Sequence, residues 1–142
     1  MPTTQFSIGR DCQLVVIGPA GQVDLTHVTG FESRQLTTPV RVERLDGVPM
    51  AADLPKGWEG SFEVERGTSD VDDFIAAAEA AYFAQGSLPF GTLYQYVSEV
   101  DGSTSTYQYN AVVFKLVNAG MWKGDNSVKQ KLEFWASMRT RV

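Results

Sequence analysis

The sequence predicts a mainly β protein: a β-sandwich or barrel with one flanking α-helix over about residues 70–85, as a single domain spanning residues 1–142. Three observations predict it. Trp58, Gly60, Phe62 and Val64 alternate with Glu59, Ser61, Glu63 and Glu65, the period-two pattern of a strand with one apolar and one acidic face. Val71, Phe74, Ile75, Ala78, Ala81 and Tyr82 then recur at helical spacing, the one convincing helical stripe in the chain. Residues 92–100 and 106–117, rich in aromatic and β-branched side chains, flank Asp101-Gly102-Ser103-Thr104 as a hairpin. Strands on both sides of one helix, with no repeating β-α alternation, point to a sandwich or barrel on which the helix packs.

In chain order, Cys12-Gln13-Leu14-Val15-Val16-Ile17 reads as a first strand, stopped by Gly18-Pro19-Ala20-Gly21. Residues 28–36 form a second, with Phe31, Ser33 and Gln35 opposite Glu32, Arg34 and Leu36. Residues 40–45 form a third, with Val40 and Val42 opposite Arg41 and Glu43. Residues 46–57 carry an Asp-Gly turn signal and two prolines, which argue against ladder pairing at their own positions, so they read as a long loop. The loop is too long for a tight hairpin turn and holds apolar Val48, Met50 and Leu54, which suits a loop docked on its own core or on a neighbour. The strand of Trp58 follows and Gly67 breaks it. Ser69 is placed to cap the helix, and Asp70, Asp72 and Asp73 sit at the positive end of its dipole. Gly86 stops the helix. Leu88-Pro89-Phe90-Gly91 is a loop before the aromatic hairpin. Residues 128–139 form a last long strand, with Val128, Leu132, Phe134, Ala136 and Met138 sharing a face with Gln130, and Lys129, Lys131, Glu133, Ser137 and Arg139 sharing the other with Trp135.

The 142 residues are 43% hydrophobic, enough for a real core and unlike a disordered chain. No apolar run reaches the roughly 18 residues that suggest a membrane-spanning helix, and the first residues lack the basic and apolar regions of a secretory signal. The single cysteine, Cys12, excludes an internal disulfide framework and fits synthesis in a reducing compartment. The net charge of −5 is uneven: five basic residues and two acids from Lys123 onward give +3, while the remainder stands at −8. A nucleic-acid binder gains affinity by placing Lys and Arg on phosphates. An acidic chain with a basic tail does the opposite, and suits subunits that repel DNA or dock basic edge to acidic edge.

Catalytic chemistry finds little support. Cys12 opens an apolar strand and reads as a small core residue, and His27, the only histidine, reads as a surface residue beside a turn. A structural zinc site needs about four Cys or His ligands. Asp70-Val71-Asp72-Asp73 lacks the glycine and distal glutamate of a calcium loop and complements the helix dipole instead. Glu63 and Glu65 share a strand face, but a glycosidase also needs a cleft. No glycine-rich phosphate loop is present. Tyr94, Tyr96, Tyr107 and Tyr109 lack interleaved Arg or Lys and read as cross-strand partners. No cofactor is expected. A well-ordered body without a site, carrying charged strand faces and sheet edges that must be paired or protected, is that of a structural or binding protein.

Several elements, in their order, resemble the tail tube proteins of tailed phages, the contractile-tailed ones above all. They are the strand after Phe31, the turn Leu45-Asp46-Gly47-Val48-Pro49, the strand from Gly57-Trp58-Glu59 to Glu65-Arg66, the helix start Val71-Asp72-Asp73-Phe74, the hairpin Glu99-Val100-Asp101-Gly102-Ser103-Thr104, and the ending from Gly120-Met121-Trp122-Lys123 through Glu133-Phe134. The resemblance covers roughly residues 28–139. It implies hexameric rings stacked into a tube of a virion tail assembled in the host cytoplasm. The tube would have a bore for DNA and the tape-measure protein, with sheath (if contractile), baseplate and tail terminator proteins as partners. On that basis Glu43, Glu63 and Glu65, tempered by Arg41, are expected to line the bore and let phosphates slide past without binding. Val48, Met50 and Leu54 are expected at the contact between rings. The fold is shared with type VI secretion tubes, so a tube of another contractile injection system is the alternative, and a monomeric ligand-binding β-barrel with an internal cavity is the rival of a different class. An enzyme comes third.

Overall fold

A computed structural model describes residues 12–18, 21–25, 28–86 and 90–142. These form strands β1 (Cys12–Gly18), β2 (Gly21–Leu25), β3 (Val28–Glu43) and β4 (Pro49–Glu65), helix α1 (Asp70–Gln85), then β5 (Gly91–Ser98), β6 (Thr104–Asn118), β7 (Lys129–Ala136) and β8 (Met138–Arg141). His27, Pro19-Ala20 and Leu88-Pro89 lie outside the described residues. The strands follow one open antiparallel path, β2-β1-β5-β6-β7-β4-β3, with β8 also pairing β6. The mainly β class with one helix is as the sequence predicts.

The path folds into two layers because β6 belongs to both. Its residues 104–109 and Val112 pair with β5 and residues 107–110 with β8, while residues 113–118 pair with β7. At the irregularity in the β5–β6 pairing, just before β7 takes over, Ala111 adopts φ 52, the one positive φ outside glycine among the described residues. A left-handed alanine costs about 1–2 kcal/mol, and here it re-aims the strand from one layer to the other. Inward residues of the layers meet in one core: Leu14, Val16, Leu93 and Tyr109 from the first, Phe62, Val64, Leu132, Phe134 and Ala136 from the second. Tyr109, fully buried, sits at the seam. Its ring meets Phe31, Trp58 and Phe134 edge-on at 6.4, 6.2 and 5.4 Å, and its hydroxyl donates to Ser33 Oγ at 3.0 Å.

Gly60 shows how tightly the second layer is drawn. A Cβ there would stand 2.1 Å from the Glu32 carbonyl oxygen and 2.9 Å from the Phe134 ring. The glycine in the middle of the alternating strand is therefore a steric requirement of β3 crossing close to β4.

Helix α1 covers one end of the sandwich with its first half only. Val71 is buried and Phe74 packs edge-on to Phe114 at 5.3 Å, whereas Tyr82 and Phe83 stand exposed. Gly86 ends the helix in the left-handed conformation, its N–H donating to the Tyr82 carbonyl at 2.7 Å. The expected Ser69 cap is corrected. The Ser69 hydroxyl bonds the Asp73 carboxylate at 3.0 Å, and it is Thr68 Oγ1 that accepts the Asp70 N–H, at 3.4 Å.

Three further expectations are corrected. Residues 28–36 and 40–45 are one strand, β3, and a separate short β2 precedes it. The long loop at residues 46–57 is strand from Pro49 onward, paired with β3 from Glu43↔Pro49 to Leu36↔Gly57. Its prolines are tolerated because, among the described residues, this stretch of β4 pairs on one side only, β7 joining it from Trp58. The last long strand breaks at Ser137: β7 pairs in the second layer and β8 in the first.

Candidate assembly surfaces

The long strands β3 and β4 leave the sandwich together. Beyond the Trp58↔Ala136 pair, no third strand accompanies them among the described residues, and residues 37–56 are exposed throughout. At about 3.3 Å per residue, the nine residues from Pro49 to Gly57 reach roughly 25–30 Å. The result is a two-stranded arm. Its base is marked by Gly57, at φ +112, whose missing Cβ admits the Trp135 ring and the Ala136 carbonyl. A register shift between Leu36 and Thr37 leaves Lys56 unpaired there. The turn is held by Arg44, which pairs with Asp46 at 2.8 Å, and by the Asp46 carboxylate, which accepts the Val48 N–H at 3.0 Å.

Register sorts the arm into two faces. Val40↔Ala52, Val42↔Met50 and Thr38↔Leu54 share one; Arg41↔Ala51, Glu43↔Pro49 and Pro39↔Asp53 share the other. Met50 and Leu54 thus join Val40 and Val42 in one apolar stripe, and Val42 and Met50 are more than half exposed. Val48 lies in the turn. Val40 and Val42 escaped the sequence-based selection of contact residues because their partners in the stripe sit across a hairpin that the prolines hid.

The second surface is the outward face of the second layer. Rows of register partners cross it: Arg34, Glu59 and Trp135; Glu32, Ser61, Glu133 and Lys115; Glu63 and Lys131; Glu65 and Lys129. Opposite charges face each other along these rows. Arg34 pairs with Glu59, and Lys129 reaches Glu65 at 3.9 Å. Five carboxylates and four cations nearly cancel. Glu63 and Glu65 are together on this face, while Arg41 and Glu43 are not with them; they lie on the arm, on its other face by register. Signals that could have joined Lys129 and Lys131 to Glu63 and Glu65 were present in the alternation of β7, but the pairing of β7 with β4, from Glu65↔Lys129 to Trp58↔Ala136, is a tertiary fact.

Elsewhere the chemistry is structural. The Asp72 carboxylate accepts from Arg66 Nε at 3.0 Å and from Gln130 Nε2 at 2.8 Å, and Gln130, buried, also donates to the Ala119 carbonyl at 3.1 Å. This ties the helix start to β7 and to the segment before it. Cys12 is half-buried beside Gln95, and burial pushes its thiol pKa up, the Gln95 hydrogen bond opposing it. Among the described residues no cluster of three His, Cys, Asp or Glu is arranged to hold a metal, and no helix is long and apolar enough to cross a membrane. The apolar void between the layers and the helix, lined by Val16, Phe62, Phe74 and Phe114 among others, holds about 10 Å³. Ligand pockets run to some 300–1,000 Å³.

No protein-family model matches this chain, and no curated relative does either. Solved structures do. A chain of the sheath-tube complex of an extracellular contractile injection system, PVC, in its extended state, is 6% identical with a TM-score of 0.66, over 92% of this chain and 88% of that one. A chain of the tube-terminating cap of the anti-feeding prophage is 11% identical with a TM-score of 0.62, over 100% and 95%. A chain of the gene transfer agent tail, refined with C6 symmetry, is 12% identical with a TM-score of 0.56, over 96% and 99%. The chain has the fold of these tail and injection-tube components.

Proposed function

We propose that the protein is the structural subunit of a phage tail tube, one domain over residues 1–142, assembling as hexameric rings that stack around a bore through which DNA leaves the particle. The observation that carries this reading is the arm. A two-stranded hairpin is at best marginally stable in water by itself, and this one presents Val40, Val42, Met50 and Leu54 on one face to solvent. An ordered arm of this kind belongs against another subunit. Among the described residues the path ends on β3, beside which no further strand pairs, an edge that a closed ring of subunits protects. The likeness to tube components of contractile systems and of a six-fold tail supports the same assignment, with the tape-measure, sheath, baseplate and terminator proteins as partners and the virion tail as location.

Within the tube, Glu63 and Glu65 would face the bore. Their cross-strand lysines make that wall close to neutral rather than strongly acidic, and a near-neutral wall offers phosphates neither a counterion-release gain nor a strong barrier. Arg41 and Glu43 would sit at the contact between rings, on the face of the arm opposite Met50 and Leu54. Among the described residues, the space between the layers and the helix, at about 10 Å³, is too small for the internal cavity of a ligand-binding barrel. Electron microscopy of the purified protein tests the reading: stacked six-fold rings or tubes are expected, and monodisperse particles of a single 15.6 kDa chain at every concentration would end it.

A further inference from the structure

We propose that the outward face of the first layer docks a second copy of this chain, the same face of two copies meeting about a two-fold axis. The proposal stands apart from the tube reading. Leu14, Val16, Leu93 and Tyr109 point into the core, so their neighbours along β1, β5 and β6 point outward. Register sets these side by side, as Gln13↔Tyr96, Val15↔Tyr94 and Tyr94↔Gln108. Among the described residues that register places on this face, Asp24, the partner of Val15, is the only charged one. The outward face of the second layer carries five carboxylates and four cations. In a chain that is 20% charged, five strands therefore share a surface almost without charge. Ile17 and Met138 are exposed on it, at 39% and 59%. Loss of Lys, Glu and Asp with gain of Tyr and Met is the composition of the centre of a protein–protein interface.

The occupant follows from what the chain's other surfaces would bring. The second-layer face, the helix start with Asp70 and Asp73, and the arm with Arg41, Glu43 and Asp53 all carry charges. This face would desolvate those charges and offer them no partner. A copy of the same face brings none to its centre, since Asp24 lies on β2, the last strand of the path, where the rim of a contact stays wet. The size also fits. Five strands about 4.8 Å apart and roughly 20 Å long give a face of about 450–500 Å². Two such faces bring together about 1,000 Å², the lower bound for a specific interface. The centre is held in place beforehand: the Tyr94 and Tyr96 rings stack at 6.2 Å and 16°, and Gln108 Nε2 donates to Asn110 Oδ1 at 2.8 Å. Little side-chain freedom is lost on docking. In a tube with Glu63 and Glu65 toward the bore, this face would lie on the outer wall, so pairing and ring formation would not compete for it.

The test is sedimentation velocity of the full chain, read on the species smaller than a ring. A dimer should grow in as concentration rises from about 1 to about 300 µM, the weak association expected of so small an interface. Its fraction should change less than about twofold between low and high salt, because charge plays little part. Gln13→Lys with Met138→Lys changes two exposed positions on either side of β5 and should weaken the dimer at least tenfold, as should Gln13→Glu with Met138→Glu. Mixing the two variants should restore a heterodimer within about threefold of the parent. No dimer in the parent, or no recovery on mixing, overturns the proposal. A second measurement checks the symmetry. In a Cys12→Ser background, Thr106→Cys treated with a short bismaleimide should stop at one dimer band, at least tenfold stronger than that from Lys131→Cys on the opposite face. A ladder of higher multimers from Thr106→Cys overturns the two-fold contact. Dimers without rings or tubes would leave this inference standing and end the tube reading; tubes without any dimer would do the reverse.

Discussion

Gly60 and Cys12 show what single positions decide. At Gly60 any Cβ meets the backbone of β3, which cannot be moved aside as a flexible side chain can. Gly60→Ala should therefore destabilise the fold by about 2–3 kcal/mol, read as a drop in thermal midpoint; an unchanged midpoint would mean that β3 and β4 are less closely drawn than described. Cys12 is the residue with a pH signature. Burial raises its thiol pKa in the folded chain, so between the unfolded and the folded pKa the native state holds the proton that the unfolded state has released. The contribution is complete below the unfolded pKa, near the model-peptide value of about 8.5, and is lost as pH rises through the folded pKa. Two outcomes follow. Native protein at pH 8 should be alkylated by iodoacetamide well below the rate of the unfolded chain, and Cys12→Ser should flatten the loss of stability on the alkaline side. Alkylation at the unfolded rate would show the thiol to be open.

At the scale of elements, the arm and the helix start behave as separable parts. Deleting residues 46–56 alone would strip the arm half of β3 of its partner and leave an unpaired strand. Removing residues 38–54 and closing Thr37 to Pro55 with an Asn-Gly turn respects the hairpin. That variant should keep the parent's circular dichroism and cooperative melting yet fail to polymerise; tubes from it would show that the arm is not an assembly element. The junction of α1 with β7 is tested by Asp72→Ala, which deprives the buried Gln130 amide and Arg66 of their shared acceptor. A loss of about 1–3 kcal/mol is expected, with the helix start and residues 118–128 losing hydrogen-exchange protection first. Asp72 read from sequence as a dipole partner does that work by position, but its role as a bridge between helix and sheet depends on Arg66 and Gln130 arriving from elements 6 and 58 residues away.

For the whole molecule, the balance of charge on the outward face of the second layer is the functional variable. Glu63→Lys with Glu65→Lys removes two negative and adds two positive charges, shifting by +4 a face that now nearly cancels. If that face lines the bore, variant tubes should retain DNA at low salt and release it steeply as salt rises, with parent tubes retaining little. Equal behaviour of the two would place these carboxylates away from the DNA path. Much of this face could be read from the chain: the alternation of residues 129–136 matches the structure throughout, and in β4 Phe62 and Val64 are buried between the half-buried Ser61, Glu63 and Glu65, whereas Trp58 and Gly60 are no more buried than Glu59. The arm could not, because Pro49, Pro55 and Pro39 argue locally against pairing, and the structure pairs this stretch with β3 alone among the described residues, where a proline's missing N–H is tolerated.

The sequence by itself determined the class of fold, the single helix with its glycine stop, the aromatic hairpin and the two-faced character of β4 and β7. These depend on periods of 2 and 3.6 residues and on turn chemistry, which are local. Tertiary structure decided which strand lies beside which, that β6 serves both layers through Ala111, and that Glu63 and Glu65 meet Lys131 and Lys129. It also turned the stretch before Trp58 from a loop into one side of a projecting arm. Those outcomes depend on backbone hydrogen bonds between segments distant in the chain, and such bonds carry no residue-specific signal: every strand offers the same N–H and C=O groups, and only packing of the whole core selects their partners.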